Sequence, residues 1–233
     1  SDLFGFSGRL GSRFLNQQNW QLESERYDPR MGITVTALTE GYRVYQTFLG
    51  ARGRAERQSR DLVHAMRQTI GILFASLEPH FEIWSTTNGS QPVATVGTGC
   101  EVTLDPVRVN RKQLKQMFSA GVAELGSVLN SILTTPTLDE LKRIASLAEE
   151  DFYVPAELWV KTIYEFAASY YKSVISRDHI LQALAPLYRG RTFTFLTENR
   201  SGSAEDVESN IESLCLEFER LKPYLLELWK GGK

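Results

Sequence analysis

The sequence predicts a mainly α-helical protein of the α+β class, in which a small mixed first part is followed by a helical bundle. Two patterns support this prediction. Apolar residues recur at spacings of three and four between Asp61 and Glu78, which is typical of a helix with one buried face. A second pattern of this kind runs from Val207 to Leu228 and is interrupted only by Pro223.

The first part of the chain has a less regular pattern. Residues 1 to about 55 mix β-branched and aromatic clusters with glycine, which favours short strands and connecting helices of a larger α/β domain. The helix from Asp61 should stop near Pro79. Residues 86–106 are rich in Gly, Thr, Ser and Pro, so we expect a loop or a short hairpin there and place the domain boundary in it.

Helix starts in the second half are marked by capping residues. The predicted caps, each with its partner three residues later, are Asn110 with Gln113, Thr137 with Glu140, and Ser203 with Asp206. Pro155 suits the first turn of a further helix. Residues 192–197 alternate Phe193 and Phe195 with threonine, a pattern that fits a strand or a helix equally well.

Composition excludes several classes of function. The net charge of −2, with both signs mixed along the chain, gives no basic surface for a long nucleic-acid duplex, and we expect no nucleic-acid partner. No apolar run approaches the roughly 20 residues of a membrane span, and we expect a cytoplasmic protein. Cys100 and Cys215 lack the paired spacing of a zinc or dithiol site, and Cys215 on an apolar stripe is predicted to be a buried free thiol.

Several segments resemble a family of known enzymes. Thr34–Ala51 is similar to the acceptor-side half of GT-A-fold glycosyltransferases of the glucosylglycerate, mannosylglycerate and glucosyl-3-phosphoglycerate synthase type. Phe4–Leu10 resembles a mid-domain segment of those enzymes. The helical tail of the family is matched by Phe152–Val160, Ile163–Ala167, Arg177–Leu181, Leu184–Arg191 and Phe218–Leu225.

The resemblance implies a domain organisation. Residues 1–85 would be the acceptor-side remnant of a GT-A domain with its following helix, residues 86–106 a loop or linker, and residues 107–233 a helical C-terminal domain. The nucleotide-binding half of the family, with its Asp-x-Asp-type metal motif, is not contained in this sequence. Such a half is therefore an expected partner, on a preceding segment or on another chain, and the family also implies a homo-oligomer formed through the C-terminal helices.

Two chemical positions of the family differ in this chain. Relatives carry an active-site acid before the shared stretch and a metal-binding histidine after it, and an ungapped alignment from Tyr27 places Arg30 and Arg54 there. Guanidinium groups only donate hydrogen bonds and stay protonated, so Arg54 does not ligate the Mg²⁺ or Mn²⁺ that the family implies. We therefore expect no metal cofactor. A small shift of the alignment would instead bring Asp28 into the acidic role.

The arginines have two interpretations. Arg52, Arg54 and Arg57 could bind phosphate or acceptor groups directly, since the guanidinium fork matches phosphate oxygens. The alternative is a solvated loop with local ion pairs, which contribute about 0–1 kcal/mol each. The catalytic candidates are thus Arg30, Arg54 and Asp28, and none has an assigned role.

Two hypotheses about function follow from these residues. The first is a glycosyltransferase-like protein with a degenerate active site that serves as a binding or structural module. The second is one part of an active, metal-independent sugar-nucleotide glycosyltransferase whose N-terminal half lies outside this chain. The three histidines, His64, His80 and His179, have no metal-ligand spacing, and the aromatic residues of the tail are predicted to pack in the core rather than to stack on a sugar.

Overall fold

A computed structural model describes residues 5–16, 29–47, 62–89, 93–97 and 109–231. The chain divides into two compact units, residues 1–101 and 102–233. In agreement with the predicted mainly α class, most of the described residues are helical. None of the described helices combines the length and the apolar content that a bilayer crossing requires.

The first unit is built on helices with one short pair of strands. Its elements are α1 (Gly8–Leu15), α2 (Pro29–Thr39), β1 (Tyr45–Gln46), α3 (Leu62–Leu77), α4 (Phe81–Thr86) and β2 (Ala94–Thr95). Ser7 is the N-cap residue of α1, and its hydroxyl accepts a hydrogen bond from the amide of Leu10 at 3.3 Å. Helix α2 packs closely on both α1 and α3, because Gly32 leaves no side chain between them and the rings and methyls of Phe14 and Ile72 fill the space.

The two strands are parallel, with Tyr45 opposite Ala94. Of residues 86–106 the structure describes 86–89 and 93–97, and these include β2, which pairs with β1. In the described residues this segment therefore does not show the short hairpin, one of the two structures expected there. Parallel neighbours need a long connection, which here contains α3 and α4. The helix predicted between Asp61 and Glu78 is confirmed as α3.

The second unit is a bundle of α-helices. Its elements are α5 (Arg111–Glu124), α6 (Gly126–Ile132), α7 (Thr135–Ser146), α8 (Ala156–Lys172), α9 (Arg177–Glu198), α10 (Ala204–Arg220) and α11 (Lys222–Lys230). Residues 203–231, which contain α10 and α11, are called the C-terminal hairpin below. This hairpin packs mainly on α8, whereas α5 and α9 form the most extensive contact of the bundle.

Helices α5 and α9 approach closely through a reciprocal pair of glycines. Gly121 of α5 faces Pro186 of α9, and Gly190 of α9 faces the ring of Phe118 on α5. Phe118 is fully buried and its ring contacts that of Phe152 edge to face at 5.1 Å. The bundle core is thus centred on a contact that only small residues allow.

Most of the predicted helix starts are confirmed, and one is wrong. Asn110 accepts from the amide of Gln113 at 3.1 Å, and Ser203 forms a complete capping box with Asp206. Helix α8 begins directly after Pro155. Thr137 is not a cap: α7 starts two residues earlier with Thr134 as its cap residue, and the Thr137 hydroxyl is used in a tertiary contact described below.

Three further expectations can be compared with the structure. Residues 192–197 are helical, because they continue α9 to Glu198. The apolar pattern after Val207 belongs to two helices separated at Leu221. The expectation that Cys215 is buried is wrong: its side chain is exposed, as are Ile211 and Leu216 on the same helix, because α10 buries none of its residues.

The aromatic residues of the tail pack in the core only in part, since Tyr164, Tyr171, Tyr188 and Phe195 are half-buried. Phe166 and Phe193 are fully buried, and Tyr170 is nearly so. Trp229 on α11 is 8% exposed and stacks on Tyr171 of the same chain, with 4.1 Å between the ring centroids. These rings stabilise the bundle and leave little surface for a sugar.

Candidate functional site

Most of the site residues named from the sequence lie outside the described residues. These are Asp28, Arg52, Arg54 and Arg57. Arg30 is described, as the second residue of α2, with a half-buried side chain. Its backbone carbonyl accepts a hydrogen bond from the hydroxyl of Thr34 at 2.9 Å. The proposed arginine cradle therefore stays a prediction from the sequence.

The histidines do not come together. His64 and His179 are exposed, and His80 precedes α4. Within the described ranges, no group of three His, Cys, Asp or Glu side chains is placed to hold a metal ion.

A polar cluster of the second unit surrounds Glu165 on α8. Its side chain is 2% exposed and accepts four hydrogen bonds from the chain itself. The backbone N–H of Thr134 donates at 2.6 Å, and the hydroxyl groups of Thr134 and Thr137 donate at 3.0 and 2.5 Å. The phenol of Tyr224 on α11 supplies the fourth hydrogen bond at 2.6 Å. We call these four residues the Glu165 cluster.

The buried carboxylate of Glu165 is stabilised by the N-terminus of α7, which it faces. Thr134 and Thr137 form the start of α7, where backbone N–H groups point outward and the helix dipole favours negative charge. Glu165 thus caps α7 from a neighbouring helix, in place of a side chain of α7 itself. Within the part of the chain that the structure describes, no Lys or Arg forms an ion pair with Glu165, so neutral donors and the dipole stabilise it.

Two tyrosines around the cluster are held protonated. Burial, and then the hydrogen bond to Glu165, raise the pKa of Tyr224 far above its usual range. Burial, together with the nearby charge of Glu219, raises the pKa of Tyr164 to about 12, and its hydroxyl donates to the carbonyl of Phe218. Both phenols therefore act as hydrogen-bond donors at neutral pH.

Two clefts border the cluster and share Thr134 and Tyr224 as lining residues. The first, of about 370 Å³, is also lined by Ser169, Lys172 and Glu227. The second, of about 480 Å³, is bordered by charged side chains at its edge, namely Glu140, Glu157 and Lys161. In the first cleft the Lys172 ammonium donates to the carbonyl of Gly231, and the Ser169 hydroxyl donates to that of Ile132 at 3.0 Å.

A second polar cluster lies at the end of α9. Arg191 is 7% exposed and donates to both carboxylate oxygens of Glu198 and to the carbonyl of Val154. The hydroxyl of Tyr153 donates to the same carboxylate at 2.9 Å. These contacts fix the loop before α8 against α9, a structural task.

The sequence contained a signal for the Glu165 cluster that our reading did not use. Thr162, Glu165 and Ser169 follow one another at helical spacing and are all buried, on a helix otherwise read as apolar and aromatic. An acid on the buried face of such a helix needs donors from other elements. The pattern indicates a buried polar contact, whereas the identity of the donors, Thr134 and Tyr224, depends on the tertiary fold.

No protein-family model, curated protein or solved structure matches the chain in the three comparisons made. The likeness to sugar-nucleotide glycosyltransferases therefore rests on the residues named above.

Proposed function

We propose that this chain is a glycosyltransferase-like polypeptide that acts as a binding or structural module and does not itself catalyse sugar transfer. The observation that carries the proposal is the saturation of Glu165. The carboxylate accepts four hydrogen bonds from its own chain and is 2% exposed, so in this structure it joins α7, α8 and α11. In this unit the best-placed acid is structural.

The two sequence positions where the family carries its chemistry support the same proposal. Arg30, at the position of the active-site acid, only donates hydrogen bonds and takes no proton from an acceptor hydroxyl. Arg54, at the position of the metal-binding histidine, does not ligate a cation. Acid-base catalysis at the position of Arg30 would be lost. The Lewis-acid role of a bound cation, which helps the diphosphate to leave, would be lost as well.

The proposal includes a cytosolic setting and self-association through the C-terminal helices. Support for self-association comes from α10, on which Ile211 is 47% and Leu216 59% exposed while no residue of the helix is buried. Exposed apolar residues on one helix are typical of a surface that another chain covers. A second copy of this chain is the occupant that the family resemblance implies.

Sugar-nucleotide binding tests the proposal directly. In isothermal titration with a panel of UDP- and GDP-sugars, with and without Mg²⁺ or Mn²⁺, we expect no dissociation constant at or below about 10 μM. The reason is that the residues which read the base and ribose in the resembled enzymes precede the part that this sequence matches. Tight binding that needs the metal would contradict the proposal.

The titration also distinguishes the second hypothesis. Tight binding that is unaffected by chelation would favour a metal-independent enzyme in which Arg52, Arg54 and Arg57 hold the phosphates. Arg54→Ala would then weaken that binding, whereas Arg9→Ala, on α1, is the matched control and should leave it unchanged.

A further inference from the structure

The C-terminal hairpin is attached to the bundle by few buried residues. Helix α10 has 17 residues and buries none of them. The apolar anchors of the hairpin are Leu221, Leu225 and Trp229, which are 9%, 4% and 8% exposed. A segment with so little buried apolar surface is expected to open at a lower free energy than the bundle on which it rests.

Four of the polar attachments that the structure describes for the hairpin reach a single helix, α8. Tyr224 donates to Glu165, Arg220 pairs with Glu157 at 3.3 Å, and the carbonyls of Phe218 and Gly231 accept from Tyr164 and Lys172. A further side-chain hydrogen bond of 2.8 Å runs from Asn210 to Asn199 at the end of α9. Most of these attachments therefore lie on one helix of the bundle.

The Glu165 cluster is arranged so that the bundle keeps its own hydrogen bonds without the hairpin. Of the four donors to Glu165, the three supplied by Thr134 and Thr137 belong to the bundle, and only Tyr224 belongs to the hairpin. When Tyr224 leaves, the carboxylate gains water on that side and still caps α7. Opening thus breaks one of the four hydrogen bonds of the cluster and leaves the three from Thr134 and Thr137 in place.

We propose that the C-terminal hairpin is a strap that opens and closes as one unit while the bundle stays folded, with the Tyr224–Glu165 hydrogen bond as its latch. In the closed state it forms one wall of the cleft of about 370 Å³. In the open state Glu165, Ser169 and Lys172 face solvent together on α8. The strap therefore controls access to the polar surface on α8.

Hydrogen exchange of the full chain, followed by mass spectrometry, tests the strap. In the wild-type protein, amides of α10 and α11 should exchange faster than those of α5 and α9. Tyr224→Phe removes the latch and should speed hairpin exchange roughly 10- to 100-fold, the usual effect of one hydrogen bond to a charged group. The matched control is Tyr153→Phe, which removes a tyrosine–glutamate hydrogen bond within the bundle and should leave hairpin exchange unchanged.

A variant in the bundle core distinguishes two cases. Either the hairpin opens separately from the bundle, or the hairpin and the bundle unfold together as one cooperative unit. Ile144 is fully buried, and Ile144→Val should speed exchange of the slowest bundle amides roughly 2- to 10-fold. Because the open state keeps that core, hairpin amides should not respond. Equal acceleration of hairpin and bundle amides by Ile144→Val would overturn the strap, and unchanged hairpin exchange in Tyr224→Phe would overturn the latch. The measurement is repeated at two protein concentrations tenfold apart, so that protection of α10 by self-association is separated from opening.

Discussion

Glu165→Ala is expected to lower the free energy of unfolding of the second unit by about 3 kcal/mol. The substitution leaves the Thr137 hydroxyl, which is buried, and the Thr134 N–H without their acceptor, and it breaks the contact to Tyr224. It also removes the charge that stabilises the start of α7. Urea denaturation followed by circular dichroism measures the change.

Two comparisons make this prediction specific. Glu165→Gln keeps the size of the side chain, but its amide NH₂ meets a donor where the carboxylate accepted, so a smaller loss of about 1–2 kcal/mol is expected. Glu140→Ala, on α7, removes a carboxylate that pairs with Arg143 at the surface and should change stability by about 0.5 kcal/mol or less. If Glu165→Ala were as stable as Glu140→Ala, the Glu165 cluster would not organise the bundle.

Gly190→Ala should destabilise the second unit by about 2–4 kcal/mol, although alanine favours a helix by up to about 1 kcal/mol over glycine. An added Cβ would lie 2.3 Å from Cδ2 of Phe118, far inside van der Waals contact. The Phe118 ring has no free space to move into, because it is fully buried and packs against Phe152. Helices α5 and α9 must therefore separate, and thermal or urea denaturation should show the loss.

The control for this overpacking is another helical glycine. Gly126, the first residue of α6, has no atom within 4 Å of an added Cβ, so Gly126→Ala should be neutral or slightly stabilising. Phe118→Leu in the Gly190→Ala background should recover part of the loss, because a smaller side chain relieves the clash. Additive effects of the two substitutions would contradict a direct contact between Gly190 and Phe118.

Helices were predictable where the local signal agreed with the tertiary fold. The stripe from Asp61 to Glu78 and the caps Asn110 and Ser203 each depend on residues a few positions apart, and all three are found. Thr137 looked like a cap for the same local reason. Its hydroxyl is instead taken by Glu165, 28 positions away in sequence, and short-range patterns do not contain such a partner.

Burial was harder to predict than helix formation. The apolar stripe of α10 has the spacing of a buried face, yet Ile211 and Cys215 are exposed, and Leu214 and Phe218 are only half-buried. The periodicity indicates that a face exists, and the fold decides what covers it. In the same way, the buried Glu165 could be suspected from its place on α8, but its donors come from α7 and α11.

Most of the site residues that the resemblance indicates cannot be compared with the structure. Asp28, Arg52, Arg54 and Arg57 lie outside the described residues, so their arrangement stays a prediction. Arg30 lies in the first turn of α2, where a cation is unfavourable to the helix dipole.

Sugar transfer is the measurement that tests the central claim, that this chain is a module and not a catalyst. The 233-residue chain is incubated with UDP- or GDP-hexoses and with glycerate or 3-phosphoglycerate, the acceptors that the resemblance implies, with and without EDTA. We expect no transfer above the enzyme-free rate in any condition, and no difference between the wild type and Arg54→Ala. Transfer that EDTA abolishes would contradict the claim and the alignment of Arg54 with the family's histidine. Transfer that is insensitive to EDTA, and that Arg54→Ala slows roughly 10²- to 10³-fold, would also contradict the claim that the chain is not a catalyst. In that case Arg54 would replace the metal.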